Sequence, residues 1–331
     1  IEQLGLETYL LVVVFCGVVQ LTSGFLKAGV IAHYFPSSVI KGMLAGIGII
    51  LILKQIPHAL GYDSSWEGEL EFFQRDGRNT FSEILYAFEA LSPGAIIVTV
   101  ASLAVLLAWQ HPAVKDRAFA KALPAPLLVV VLGISLDTLF SRVGNGLSIS
   151  TDHLVAVPVS SSFGEFLSNF RRPDFSQITN PAVYTTGLAL ALVASIETLL
   201  SVEATDNLDP EKRVTPTNRE LKAQGLGNIV SGLLGGIPLT QVIVRSSANV
   251  VAGGKTRLAS FIHGVLLLIC VAFIPELLNR IPLASLAAIL LVIGYRLARV
   301  SLFREMWAEG VWQFLPFIVT ILGLVFTDLL T

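Results

Sequence analysis

Long apolar runs recur along the chain, broken by Gly, Pro and short charged stretches. Several approach the ~20 residues that cross ~30 Å of hydrocarbon as a helix. They predict an all-α polytopic membrane protein with spans over 8–27, 32–60 (broken near its start by Pro36), 93–109, 124–140, 181–202, 221–235, 258–278, 283–297 and 311–330. A half-length segment, 238–251, sits among them. Two longer connections stand out. The first, 62–91, is acidic and aromatic around 67–76; the second, 141–178, contains SISTDHLVAVPV, a pattern that allows short strand segments.

The half-length segment lies within residues 235–257, GGIPLTQVIVRSSANVVAGGKTR. It is too short and too polar to span, and a glycine pair bounds it on either side. A short helix at bilayer depth points unpaired N–H groups and the positive end of its dipole into the membrane interior. That is the architecture of an anion site, and the same segment carries Arg245.

Composition sharpens this picture. Charged residues make up 14% of the chain, against about a quarter in soluble domains. A net charge of −2 offers no bulk basic field for nucleic acid. Cys16 and Cys270 both fall inside apolar runs and read as buried free thiols. The chain opens on Ile1 rather than Met, which reads as an internal piece of a longer protein. If the runs alternate across the bilayer, one side collects the Lys27, Lys115, Lys212, Lys222, Lys255 and Arg299 groups, and the other mainly Arg75, Arg142, Arg171 and Arg280. The positive-inside rule makes the first side cytoplasmic, so the acidic connection faces outward. The bias requires segment 238–251 to count as a crossing.

Two charges fall at membrane depth. Glu197 lies in TGLALALVASIETLLSV, with Ser201 one turn on and Thr205 a turn beyond. Gly187, Ala191 and Ala194 keep the earlier part of that helix slim, so that a helix or a ligand can approach. Glu197 reads as a coupling-ion or proton site, or as a structural hydrogen bond to a neighbour. Arg245 reads as positive field for an anion, as a partner of Glu197, or as a snorkelling side chain. The backbone of Thr240, Gln241, Val242 and Ile243 is expected to form the first turn of the half-helix and to offer N–H donors, with the Thr240 hydroxyl and Gln241 amide beside them. Asn218 is expected to cap the helix opening at Arg219, and His263 to be a packed, hydrogen-bonded core residue. The five histidines lack metal-ligand spacing. With no phosphate loop, nucleophile elbow or HExxH, neither an enzyme, a metal nor a cofactor is expected.

Four stretches resemble the sulfate permease (SulP) family of inorganic anion transporters: SIETLLSVEATDNL, NRELKAQGLGNIVSGLLGGIP, VIVRSSANVVAGGKTRLASFIHG and IPLASLAAILLVIGY. The early HYFPSSVIKGMLAGIGIILILKQIPH is similar to that family's fifth transmembrane region. The resemblance implies part of a fold of two inverted seven-segment repeats, in which a core domain rocks against a gate domain and a STAS domain usually follows. On that map residues 1–28 and 179–280 belong to the core, and 29–178 and 281–331 to the gate. The first two helices and the third half-helix fall before Ile1; the fourteenth helix and any STAS domain fall after Thr331.

The resemblance also implies roles. Arg245 matches the family's frequent basic residue on the tenth helix. Glu197 matches an acidic position on the eighth, where sodium-coupled bicarbonate members have Asp, and Ser201 fits the hydroxyl one turn later. Gln241 and Ile243 stand where those members have a glycine and a hydroxyl, which puts a sodium site in doubt and leans toward proton coupling or exchange. The expected function is secondary transport of bicarbonate or sulfate by alternating access, coupled to H+ or Na+, by a homodimer embedded in membrane lipid and placed in a bacterial inner membrane. The alternatives are an anion channel or voltage-responsive protein on the same scaffold, and a nucleobase permease, which Arg245 without a neighbouring acid disfavours.

Overall fold

The computed structural model describes residues 4–63, 79–115, 117, 120, 123–144, 146–160, 162–168 and 170–326. The acidic stretch 67–76, Arg75, Lys121 and the end of the 311–330 span lie outside the described residues. Twelve longer helices organise the rest: α1 (Leu6–Phe25), α2 (Ser37–Leu60), α3 (Thr80–Glu89), α4 (Pro93–Gln110), α5 (Ala125–Val143), α6 (Pro181–Leu208), α7 (Thr217–Leu233), α8 (Ile243–Val251), α9 (Arg257–Phe273), α10 (Leu283–Leu297), α11 (Val300–Ala308) and α12 (Val311–Phe326). Each predicted span falls on one of them. Among the described residues, six stretches are long and apolar enough to cross a bilayer, and α9 and α12 are apolar but shorter.

Local chemistry sets several boundaries. Pro93 and Pro181 open α4 and α6, where a missing N–H costs no helical bond, and Ser92 and Asn180 accept from the first-turn amides behind them. Asn79 and Ser82 form a reciprocal capping box at α3. At α7 the expected cap is displaced. The helix begins at Thr217 without a side-chain cap, and the Asn218 carboxamide oxygen accepts instead from Gly29 N–H at 2.9 Å. Asn218 therefore holds the turn after α1, a long-range partner invisible in local spacing.

The chain divides into two compact units. The first comprises residues 1–41 and 160–251 and contains α1, α6, α7 and α8; the second comprises 42–159 and 252–329. Residues 252–280 fall in the second unit, and 29–41 and 160–178 in the first.

In the first unit α1 packs along α7 and α6. The α1–α7 contact brings backbones together: a Cβ on Gly17 would lie 2.6 Å from Gly225 O, and one on Gly225 would lie 2.5 Å from Leu21 N. Only glycine permits that approach. The slim face of α6 takes a helix rather than a ligand, because Gly187 packs against Phe15 of α1.

In the second unit, α2, α11 and α12 share a core of Ile50, Met306, Phe317 and Ile321, while Val98, Phe140 and Ala284 join α4, α5 and α10. The SISTDHLVAVPV segment turns through a 3-10 helix at Thr151–His153, and among the described residues it forms only an isolated Leu154–Pro282 bridge rather than a named strand. Asn279 continues the pairing by accepting from Val157 N–H at 2.6 Å and donating to Val157 O at 2.9 Å. Two charged groupings are buried here. Lys54 Nζ lies 3.7 Å from Glu83 Oε2, and Asp63 bridges His58 and His153 through their Nδ1 atoms. Helix α9 buries no residue, so His263 is exposed rather than packed. Both cysteines are free, Cys16 buried and Cys270 partly so.

Candidate functional site

The first unit brings together the residues singled out on α6 and at the half-helix. On α6, Ala194, Thr198 and Ser201 are buried along one face, and Thr205 continues it at helical spacing. Glu197 is partly buried, and Thr240 is its neighbour from the segment ahead of the half-helix.

The half-helix begins later than the sequence suggests. Helix α8 starts at Ile243, and its first backbone bond runs from Ser246 N–H to Val242 O at 3.2 Å. Thr240 and Gln241 are therefore not its first turn. Pro238 has no N–H and forces Ile237 toward an extended backbone, and the peptides that follow are paired by side chains from other helices. Gln241 N–H donates to Thr198 Oγ1 at 3.2 Å, and Gln241 Nε2 to Thr205 Oγ1 at 3.3 Å. Gln241 is thus tied to α6 through both its backbone and its amide. The N–H groups that precede the first helical bond are those of Ile243, Val244 and Arg245, and none has an acceptor among the described residues. They stand at the positive end of the helix dipole.

Of the remaining residues, the Ile243 side chain is buried and Val242 is exposed. Arg245 is exposed and forms no ion pair with Glu197. The reading of Arg245 as the partner of Glu197 is not what the structure holds: its exposed side chain stands in the first turn of α8, outside any ion pair with Glu197. Ser201 is buried one turn beyond Glu197, as its spacing requires.

Sequence reasoning passed over three amides, Gln20 on α1 and Gln224 and Asn228 on α7. All are buried, and Gln224 and Asn228 bond the Leu239 peptide just ahead of α8. The signal was available: Gln20 interrupts the apolar run LLVVVFCGVVQL, and Asn228 sits in GLGNIV. A fully buried amide has to find partners, and an irregular backbone at that depth supplies them.

Apolar spanning helices together with a short helix that opens on free N–H groups define an integral membrane protein of the broken-helix class. Comparison with known proteins gives the family. The model of the sulfate permease family matches residues 2–320, and the chain belongs to that family. It is 29% identical over 292 residues to the bicarbonate transporter BicA of Picosynechococcus sp., covering 88% of this chain and 47% of that protein. It is 25% identical over 303 residues to sulfate transporter 4.1, chloroplastic, of Arabidopsis thaliana, covering 88% of this chain and 39% of that one. The chain thus spans about half or less of the length of these relatives. Among solved structures, the transmembrane domain of a cyanobacterial BicA superposes with a TM-score of 0.69 at 25% identity, over 98% of this chain and 76% of that one. SLC26A9 shares the fold, with a TM-score of 0.68 at 17% identity over 98% of this chain and 48% of that one.

Proposed function

We propose that the protein is a secondary transporter of a small inorganic anion, bicarbonate or sulfate, working by alternating access. The carrying observation is the half-helix: three N–H groups without acceptors at the N-terminus of α8, in a chain of the sulfate permease family. The anion is held by the backbone amides of Ile243, Val244 and Arg245, with positive field from the Arg245 guanidinium. Val242 and Thr240 border the same turn, whereas Gln241 is committed to α6 and shapes the site from behind. Glu197 takes up the coupling ion, H+ or Na+, with Ser201 beside it, and the first unit acts as the core of a homodimeric transporter. The names of the relatives support bicarbonate and sulfate as the two substrates to test.

The test is uptake of labelled sulfate or bicarbonate into proteoliposomes. A carrier gives saturable, counter-ion-dependent uptake. Conductance without saturation sinks the carrier reading in favour of a channel, and uptake of nucleobases instead of anions sinks it in favour of a permease. Glu197→Gln is expected to abolish the dependence on pH or sodium while leaving the protein folded. A variant that keeps the wild-type dependence ends the coupling assignment.

A further inference from the structure

The stretch ahead of α8 behaves as a β-strand whose partner is a row of side chains. Alternate peptides are tied in turn. Ile237 O accepts from Ser231 Oγ at 2.8 Å. Leu239 N–H donates to Asn228 Oδ1 at 2.5 Å, and Leu239 O accepts from Asn228 Nδ2 at 3.1 Å and Gln224 Nε2 at 2.8 Å. Gln241 N–H meets Thr198 Oγ1 at 3.2 Å. Period-two pairing of this kind is what a neighbouring strand would provide.

Asn228 is the centre of the row. It is fully buried and matches the Leu239 peptide donor to acceptor and acceptor to donor. Its second N–H donates to Gln20 Oε1 at 2.7 Å, and Gln20 Nε2 in turn reaches Ser195 Oγ at 3.4 Å. Both donors and the acceptor of the Asn228 amide are therefore assigned, which fixes its orientation. A flipped amide would set its NH2 against Leu239 N–H. Gln20 is also fully buried, so neither group can exchange its partner for water without opening the α1–α7 contact.

We infer that Asn228, held by Gln20, is a positioning residue that sets anion affinity by fixing where α8 begins. The inference rests on the proposed anion site at the α8 N-terminus. Asn228 does not touch the anion. It fixes Leu239, four residues before Ile243, and thereby the place and direction of the three free N–H groups. An anion held mainly by backbone donors is sensitive to sub-ångström displacement of those donors, because nothing longer or more flexible compensates.

The test uses the purified protein in two measurements: sulfate- or bicarbonate-induced rise in melting temperature, which yields Kd without requiring transport, and uptake into proteoliposomes. Asn228→Ala is expected to weaken Kd and raise KM about tenfold, the equivalent of roughly one well-placed hydrogen bond. Its maximal rate per folded molecule stays within about twofold of wild type. Asn228→Asp, equal in size but unable to donate to Leu239 O, is expected to fail likewise. Gln20→Ala gives a smaller loss that adds nothing on top of Asn228→Ala, because it acts through that residue. If Asn228→Ala does not fold, Gln20→Ala and Asn228→Asp carry the same comparison. Less folded protein at unchanged Kd and KM overturns the inference, as does an additive Gln20 effect. Wild-type protein that binds an anion but does not translocate it refutes the transport reading alone and leaves this one to be read from Kd. Wild-type protein that binds neither anion refutes both.

Discussion

Removing Glu83 from the buried Lys54–Glu83 pair should destabilise the second unit more than removing both charges. The two atoms are 3.7 Å apart, the side chains are 4% and 1% exposed, and Lys54 Nζ makes no hydrogen bond. The attraction is therefore charge on charge. At an effective dielectric of ~20 it is worth about 4.5 kcal/mol gross, most of which is offset by the cost of stripping both groups of water. Removing the Glu83 carboxylate leaves the Lys54 ammonium, which makes no hydrogen bond, buried without that counter-charge, at about 3–5 kcal/mol. A chain of 331 residues unfolds with an entropy of roughly 0.7 kcal/mol/K, so ~4 kcal/mol lowers the apparent melting temperature by about 6 °C. Glu83→Gln should show this drop in detergent, followed by tryptophan fluorescence at one scan rate. Adding Lys54→Met should raise the melting temperature of that variant. A Glu83→Gln protein within about 1 °C of wild type, or a double variant that melts no higher than Glu83→Gln, would refute the coupling.

Three other outcomes are expected. Gly225→Ala forces a methyl group to within 2.5 Å of Leu21 N and 2.7 Å of Gly17 O; it should cost about 1–3 kcal/mol in the same melting assay, and a neutral result would mean that α1 and α7 are not in backbone contact. Arg245→Ala should weaken anion uptake with little change in melting temperature, since the side chain is exposed and outside any ion pair with Glu197; unchanged affinity and rate would remove Arg245 from the site. The His58–Asp63–His153 cluster should make stability depend on pH. Its hydrogen bond to Asp63 raises His153 against the opposing effect of burial, helped by the charges of Asp63 and Asp152. Burial alone would raise Asp63, but the hydrogen bonds and charges of His153 and His58 outweigh it and hold the carboxyl low. The His153 contribution is complete below the ordinary histidine range near ~6.5 and fades as pH climbs through its raised value; the Asp63 contribution holds above ~3.9 and fades as pH falls through its lowered one. Melting temperature should therefore fall from pH 6 to 8 by an amount that His153→Gln lacks, and equal slopes in the two proteins would refute the assignment.

The membrane spans were legible because a bilayer imposes a length and an apolar surface on every crossing helix, and both are local properties of a sequence. The position of Glu197 and Ser201 on one helix was legible for the same reason: a carboxylate in an apolar run stands out, and helical spacing fixes its neighbours. The start of α8 was not. Pro238 and the glycine pair mark where helix cannot continue, but where it resumes depends on Thr198, Gln224 and Asn228, which reach the segment from α6 and α7. Asn218 was misread for a similar reason, since its partner at Gly29 lies 189 residues away. An apolar helix such as α9 gives no sign in its own sequence of whether protein or lipid will cover it, so His263 was expected in a core that the helix does not enter.

The row of side chains that holds the lead of α8 has an order along the chain. Gln20, Ser195, Thr198, Gln224 and Asn228 all precede Leu239 and Gln241 in sequence. As the polypeptide leaves the ribosome, the side chains that bond the Leu239 and Gln241 peptides are made before those peptides. The exposed peptides of the lead, which lipid could not solvate, thus emerge after the helices that accommodate them. The lead of the half-helix need not wait for a later segment to supply these partners, and its insertion can follow the direction of synthesis.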